Sequence, residues 1–294
     1  MIERIASPHA VAHVDLARGG TIAHFGSSDD ARDNLLARVD SSASAPADSS
    51  EFSASRREWL TPYCGGWQVL TPNAGDECLV GETFHPFHGD VSRHAWSVVE
   101  RSAAFLKIRT AANNAIAVTR TMTLNRDCPS LVVSTTIENR SSERAPAILV
   151  EHIALAGGDD ARVHAPARSH WESPPAARDR LPASPWSEAL ARPIPVGTSR
   201  VVSLVEGSEG WIELRRSRLS VRIDWDPDEL PYLWYWQERG TPGFPFHGHA
   251  DIIGLEPASA AFADGLARAI ERGEAWWLDP NESRSTSLEI SFTS

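Results

Sequence analysis

Alternating apolar and polar positions recur along the chain and predict β-strands. Successive side chains of a strand point to opposite faces of a sheet, so this alternation is typical of strands with one buried face. Seven segments carry such a pattern or a run of β-branched residues, and they are 115–124, 130–139, 147–155, 200–205, 210–215, 219–225 and 287–292. Many strands at short spacing with turn residues between them predict an all-β antiparallel sandwich or barrel.

Helical patterns are sparse. Residues 264–272 place Leu266 and Ile270 four positions apart, and Gly273 follows where a C-terminal cap belongs. Residues 30–36 are long enough for a single helical turn. We therefore expect one or two short helices.

Two segments without periodicity predict loops. Residues 39–55 are rich in Ser, Ala and Asp, and residues 157–197 are rich in Pro, Ala and Arg. A loop as long as the second one typically covers a functional site or is partly disordered. No repeat and no linker is evident, so one domain over residues 1–294 is expected.

The net charge of −11 argues against nucleic acid and against anionic membranes as partners. The three cysteines (Cys64, Cys78 and Cys128) form no paired framework, which is typical of reduced thiols in a cytoplasm. No apolar run approaches the roughly 18 residues that a membrane span requires. These features predict a soluble, cytoplasmic protein; they predict no oligomeric state.

Residues 82–96 hold His85, His88 and His94 together with Asp90 and Trp96. Metal binding, proton transfer and packing are all open for this cluster from the residues alone.

A metal site has its best support in His247, His249 and Asp251, whose H-x-H-x-D order is used by di-metal hydrolases. The motif is incomplete, because those enzymes continue with a histidine and Ile252 stands here. Polar loop histidines are the favoured interpretation, and no metal is expected.

Tryptophan is unusually frequent, with eleven among 294 residues, and Trp67, Trp96, Trp234 and Trp236 lie beside polar clusters. Such rings either fill a β-sandwich core or form platforms for the apolar faces of sugars.

His152 and Glu256 stand inside apolar segments. A buried glutamate is costly unless it is paired or used, so Glu256 before Pro257 suggests a functional role. A histidine and a carboxylate on neighbouring strands suffice for general acid–base catalysis.

Taken in order, most of the chain resembles the galactose mutarotase-like (aldose 1-epimerase) superfamily. The segments that carry the resemblance are 15–22 with a Gly-Gly turn, 34–36 (Asn-Leu-Leu), 65–68 (Gly-Gly-Trp-Gln), 72–75 (Pro-Asn-Ala-Gly), 88–90 (His-Gly-Asp) ahead of Trp96, 145–150 ahead of His152, 234–237 (Trp-Tyr-Trp-Gln), 254–257 (Gly-Leu-Glu-Pro) and 278–283 (Leu-Asp-Pro-Asn-Glu-Ser).

The resemblance implies a β-supersandwich of large antiparallel sheets with a carbohydrate-binding cleft on a concave face. It implies catalytic roles for Glu256, His152 and His88, the last at a ring or anomeric oxygen. The sugar-binding residues that it suggests are Trp67, Gln68, Asn73, Asp90, Trp96, Trp236 and Gln237. His85 and His94 are then expected around the site or on the surface. No organic cofactor is expected, because the proton transfers need only side chains.

Two positions depart from the classical pattern. Asn73 is followed by Ala74, where classical mutarotases have an arginine that touches the sugar. After His152, residues 153–155 (Ile-Ala-Leu) replace a motif with Tyr/Phe-Asn. The preferred sugar is therefore not predicted, and specificity is expected to depend on residues 157–197 and on whichever residue replaces the missing arginine.

The implied function is an aldose 1-epimerase-like mutarotase, which interconverts the anomers of a sugar by ring opening. Glu256 is expected to be the ionised base and His152 the acid, on opposite sides of a bridging sugar. The alternatives are a carbohydrate-binding protein without turnover and a hexose-6-phosphate 1-epimerase, since Arg93 and Arg239 lie near the motifs. A polysaccharide lyase would need a base beside a uronate-neutralising group, and the residues do not indicate such a pair.

Overall fold

Two large antiparallel sheets dominate the computed structural model, which describes residues 1–39, 51–111, 116–177 and 181–293. About half of the structure (48%) is strand and 9% is helix, which confirms the all-β sandwich. The strands are β1 (Ile2–Ala6), β2 (Val11–Asp15), β3 (Thr21–Gly26), β4 (Gly66–Leu70), β5 (Cys78–Val80), β6 (Thr83–His85), β7 (Ser97–Arg101), β8 (Phe105–Ala111), β9 (Ile116–Leu124), β10 (Ser130–Asn139), β11 (Ala145–Ala147), β12 (Val150–Ala156), β13 (Arg162–His164), β14 (His170–Glu172), β15 (Ser184–Pro185), β16 (Thr198–Glu206), β17 (Trp211–Arg216), β18 (Leu219–Trp225), β19 (Tyr232–Arg239), β20 (Asp251–Ala258), β21 (Trp276–Leu278) and β22 (Ser283–Thr293). The α-helices are α1 (Ala54–Leu60), α2 (Glu188–Ala191) and α3 (Leu266–Arg272).

The first sheet has the strand order β1-β2-β3-β4-β12-β20-β19-β16-β14-β15. The second sheet has the order β13-β17-β18-β22-β10-β9-β8-β7. Two small pairs, β5 with β6 and β11 with β21, complete the sheets of the described residues. Strands that are distant in sequence, such as β4, β12 and β20, are therefore neighbours at the centre of the first sheet.

Both faces of the first sheet are covered at its centre. On β19, Leu233 and Tyr235 pack into the core between the sheets, whereas Trp234 and Trp236 point to the opposite, outer face. There they join a second apolar cluster, which includes Trp59 of α1 and Leu266 of α3. Polar residues on this outer face are consequently buried.

The predicted strands are present. The seven segments correspond to β9, β10, β12, β16, β17, β18 and β22, and β10 has the predicted bounds. Residue 115 of the first segment lies outside the described residues. The strands alternate because one face of each packs against the core.

The predicted helix is α3, and it begins at Leu266. Gly273 ends it in a left-handed conformation with φ of 76°, and its N–H is bonded to the carbonyls of Ala269 and Ile270. The turn predicted within 30–36 is a 3₁₀ helix at Ala31–Asp33. A second 3₁₀ helix lies at Val91–Arg93.

Helix α1 was not expected. Its first two residues belong to the segment 39–55, which was predicted to be a loop. Ser53 caps it by accepting a hydrogen bond from the N–H of Arg56. Its seven residues are too few for a helical period to be visible. Residues 40–50 of the predicted loop lie outside the described part of the chain.

The segment 157–197 was expected to be irregular; most of its described residues are, but four short stretches are not. It contributes β13 to the second sheet, β14 and β15 to the first, and the short helix α2. Strands of two or three residues are too short to show alternation. Residues 178–180 of this segment are not described.

No helix within the described residues is long and apolar enough to cross a membrane.

Candidate active site

A cleft of about 380 Å³ lies on the outer face of the first sheet, above its central strands. Its floor is formed by His152 of β12, Glu256 of β20, Trp236 of β19 and Ser199 of β16. These strands are consecutive neighbours in the sheet, so residues far apart in sequence present their side chains to one surface.

His152 and Glu256 lie side by side, with Nε2 of His152 3.7 Å from Oε1 of Glu256. The register pairs Val150 with Ala258 and Ala154 with Gly254, which brings the two side chains across from each other. Gly254 leaves room for the carboxyl group, because a Cβ there would lie 2.5 Å from Oε1. The expectation that the two groups flank a sugar from opposite sides is therefore wrong.

Burial determines the protonation of this pair. It raises the pKa of the Glu256 carboxyl well above its usual range and lowers the pKa of His152 to about 4. Burial therefore favours the neutral form of both groups. This differs from the expected ionised glutamate, because the neighbouring histidine carries no charge to stabilise a carboxylate.

His88 is the third catalytic candidate, and its ring centre lies 5.6 Å from that of His152. The N–H of Gly75 donates to Nδ1 of His88 at 2.9 Å. Burial, aided by the charges of Arg56 and Arg93 and by repulsion from His152 when it is protonated, lowers the pKa of His88 well below its usual range. A neutral ring with Nδ1 as acceptor carries its proton on Nε2, so His88 is a hydrogen-bond donor.

Aromatic rings form most of the cleft wall. They come from α1 and its flanks, from the His-rich segment, from β19 and from the connection between β19 and β20, and they are Phe52, Trp59, Tyr63, Phe87, Trp234, Trp236, Phe244 and Phe246. Trp59 and Tyr63 stack on each other with ring centres 4.9 Å apart. Sequence reasoning missed this pair, and its one signal was two aromatic residues four positions apart.

Three predicted binding residues lie on the cleft side. Trp236 lines the cleft itself. Gln68 is paired with His152 in the sheet, but it borders a smaller cavity of about 270 Å³ on the other side of Trp59 and Tyr63. Asp90 is half-buried at the start of the second 3₁₀ helix and does not line the cleft.

Trp67 and Gln237 point to the opposite face of the same sheet. Trp67 packs between the sheets and donates from Nε1 to Glu151 at 2.6 Å. Oε1 of Gln237 accepts the N–H of Ile194 at 2.9 Å. Neither reaches the cleft, because side chains alternate along β4 and β19 and the neighbouring positions face it instead.

Trp96 and Asn73 are also structural. Trp96 packs into the core between the sheets and donates to the carbonyl of Val91 at 3.3 Å. Asn73 is fully buried, and its side chain accepts the N–H of Leu266 at 2.7 Å while donating to the carbonyl of Pro86. The Asn73 side chain holds α3 against the His-rich segment and is not free for a sugar.

His85 is buried and His94 is half-buried, and neither lines the cleft. Within the described residues no three of His, Cys, Asp and Glu are grouped in a way that could hold a metal ion. No described residue of 157–197 lines the cleft, so the expected source of specificity is not found there.

These sheets and this cleft define the galactose mutarotase-like fold, which solved structures confirm over the whole chain. The Slr1438 protein of Synechocystis sp. PCC 6803 is 16% identical with a TM-score of 0.72, and the match covers 100% of this chain and 96% of that one. An Escherichia coli K12 protein described as a candidate aldose 1-epimerase is 17% identical with a TM-score of 0.73, covering 100% and 99%. A galactose mutarotase-like protein of Lactobacillus casei ATCC 334 is 15% identical with a TM-score of 0.68, covering 100% of both chains.

At the level of sequence, the chain belongs to the family described as a domain of unknown function, DUF4432, whose model matches residues 39–292. No curated protein matches the sequence of this chain.

Proposed function

We propose that this protein is a mutarotase of the aldose 1-epimerase type. The observation that carries the proposal is the His152–Glu256 pair, 3.7 Å apart at the floor of a buried aromatic cleft. The likeness to mutarotase-related structures supports it at the level of the fold.

The geometry suits proton exchange with a cyclic hemiacetal. The anomeric hydroxyl and the ring oxygen are bonded to the same carbon, so two groups that lie side by side can reach both. Protonated Glu256 donates to the ring oxygen while neutral His152 accepts the proton of the anomeric hydroxyl. The bond between the anomeric carbon and the ring oxygen breaks, and an open-chain aldehyde forms.

Rotation about the first carbon–carbon bond and the reverse transfers close the ring as the other anomer. His152 returns its proton to the aldehyde oxygen, and Glu256 recovers its own from the former ring oxygen. These roles are the reverse of those expected from sequence, because burial favours the protonated form of Glu256 and the neutral form of His152.

The other residues of the cleft assist by binding. The Nε2–H of His88 donates to a sugar oxygen that gains negative charge during ring opening. Trp236 and Trp59 offer flat apolar surfaces to the carbon–hydrogen faces of a sugar ring.

The test is anomer exchange, measured by NMR across a panel of sugars. Glu256→Gln keeps the shape of the side chain and removes the transferable proton, so exchange should fall by about 10²–10⁴-fold while binding persists. Glu289→Gln on β22 is the matched control, because it lies in the second sheet, and it should exchange like wild type.

Equal rates of anomer exchange by wild type and Glu256→Gln would contradict the proposed role of Glu256. If wild type exchanges none of the sugars but binding quenches its tryptophan fluorescence, the protein is a carbohydrate-binding protein.

A phosphorylated sugar is the second candidate substrate, and Arg56 favours it. The guanidinium of Arg56 lies about midway between the rings of Phe52 and Phe87, 5.1 and 5.0 Å from their centres. Its Nε is buried and has no hydrogen-bond partner among the described residues. The nearest carboxylate, Asp76, is 3.9 Å away, which is too far for a direct hydrogen bond.

Arg56→Gln distinguishes the two substrate classes. For a sugar phosphate the variant should weaken binding by about tenfold or more, because it removes a charged contact. For a neutral sugar it should change the affinity little.

A further inference from the structure

Tyr63 carries a buried hydroxyl group without a partner. Its side chain lines the cleft and is 4% exposed, and no hydrogen-bond partner for the hydroxyl is found among the described residues. Buried tyrosine hydroxyls normally find a partner, since desolvation without one is unfavourable. The unsatisfied hydroxyl of Tyr63 therefore requires an explanation.

A second buried tyrosine, Tyr235, shows the usual arrangement on the other face of the first sheet. Its hydroxyl donates to the carbonyl of Leu190 at 3.1 Å and accepts from Nε2 of Gln237. The two tyrosines are both deeply buried and differ in the partners of their hydroxyl groups.

Tyr63 stands next to the catalytic pair. Its ring meets that of His152 edge to face, with centres 5.8 Å apart and planes at 88°. On its other sides it contacts Trp236, with centres 6.4 Å apart, and it stacks on Trp59. Burial raises the pKa of Tyr63 well above its usual range, so the hydroxyl keeps its hydrogen and can act as a donor.

We infer that Tyr63 donates a hydrogen bond to an oxygen of the sugar beside the His152–Glu256 pair, and so positions the substrate for ring opening. This inference rests on the proposed function. The hydroxyl has no acceptor among the described residues, so a ligand oxygen is its available partner, and a polyhydroxylated ring in the cleft supplies one. Helix α1 and its C-terminal flank then contribute a polar contact to a site otherwise built on the sheet.

Tyr63→Phe removes the hydroxyl and keeps the ring, and Tyr235→Phe is the matched control. The stability of each variant is measured by urea unfolding, sugar affinity by tryptophan fluorescence, and anomer exchange by NMR. We expect Tyr63→Phe to be at least as stable as wild type, because no hydrogen bond is lost from the free protein. Its sugar affinity or exchange rate should fall by about tenfold or more.

The control should behave in the opposite way. Tyr235→Phe loses two hydrogen bonds in the core and should be less stable than wild type, with exchange by the folded protein unchanged. If the Tyr63 hydroxyl served only the stability of the fold, Tyr63→Phe would lower stability and spare exchange, so the two readouts separate the roles.

Two results overturn the inference. One is a Tyr63→Phe protein as destabilised as Tyr235→Phe, and the other is unchanged affinity together with unchanged exchange. The inference about Tyr63 and the proposed function can fail separately. If wild type binds a sugar without exchanging its anomers, and Tyr63→Phe weakens that binding, the mutarotase proposal fails and the Tyr63–sugar contact is supported. If wild type binds no sugar of the panel, both fail.

Discussion

Glu256 and His152 are neighbours at the floor of the cleft, and both side chains are buried. The neutral acid beside the neutral imidazole and the carboxylate beside the imidazolium contain the same number of protons. Burial favours the first arrangement, since it raises the pKa of Glu256 and lowers that of His152. In the proposed mechanism the second arrangement forms when a sugar ring opens, so the pair would pass between the two arrangements during each half of the reaction.

The raised pKa of Glu256 predicts a pH-dependent stability. A carboxyl group whose folded pKa lies above its unfolded value of 4.5 favours folding below pH 4.5, and this contribution is lost as pH rises through the folded pKa. Glu256→Gln cannot ionise, so we expect it to be more stable than wild type at about pH 7 and to lose that advantage towards pH 4. Urea unfolding of both proteins at the two pH values measures the difference.

His152 titrates in the same range with the opposite sign, but it is present in both proteins and its effect largely cancels in the comparison. An advantage of Glu256→Gln that does not grow between pH 4 and pH 7 would contradict the proposed protonation of Glu256.

At the scale of elements, β12 carries functional and structural polar residues on opposite faces. His152 points to the cleft, and the preceding residue Glu151 points into the core between the sheets. Glu151 accepts hydrogen bonds from Trp67 of β4, from Arg120 of β9 at 2.7 Å and from Thr135 of β10 at 2.5 Å. This network joins the two sheets directly behind the catalytic strand.

The Arg120–Glu151 ion pair is fully buried, so removing one partner leaves an uncompensated charge. Glu151→Gln should therefore lower the free energy of unfolding by about 3–5 kcal/mol. The matched control is Glu271→Gln on α3, whose carboxylate lies 2.6 Å from Arg268 with both side chains about 60% exposed. That change should cost less than about 1 kcal/mol.

Both free energies come from urea unfolding. Similar losses of unfolding free energy for Glu151→Gln and Glu271→Gln would contradict the expectation that a buried ion pair is costlier to break than an exposed one. Replacing Arg120 and Glu151 together by methionine removes both charges and should recover part of the loss of the single variant.

On the scale of the whole molecule, the first sheet belongs to two apolar clusters at once. Its inner face packs on the second sheet, and its outer face packs on α1, α3 and the cleft aromatics. The strands that carry His152 and Glu256 lie between these clusters, so the integrity of the cleft depends on both. This arrangement favours, but does not test, the prediction of one domain over residues 1–294.

A single domain predicts one cooperative unfolding transition. Tryptophan fluorescence and far-UV circular dichroism should give coincident urea curves, because the residues that report tertiary packing and the strands belong to the same unit. Glu151→Gln should shift both curves together. Two separated transitions would show that the sheets or the cleft-covering elements unfold independently.

Much of the fold was determined locally and could be predicted from the sequence. Strands such as β10 and β18 alternate because one face is buried, and Gly273 ends α3 because a left-handed cap favours glycine. The resemblance to mutarotases then singled out His88, His152 and Glu256, which the structure brings together. Their catalytic roles stay proposals.

The tertiary structure alone decided which neighbours of those residues share the cleft. Central strands are buried on both faces, so alternation does not show which face meets the ligand: Trp236 lines the cleft, and Gln237, one residue further, does not. Tyr63 enters the site from the turn that follows helix α1, and α1 is too short to show a periodic signal. The protonation of Glu256 was also beyond the sequence, because it depends on burial by residues that only folding brings around the carboxyl group.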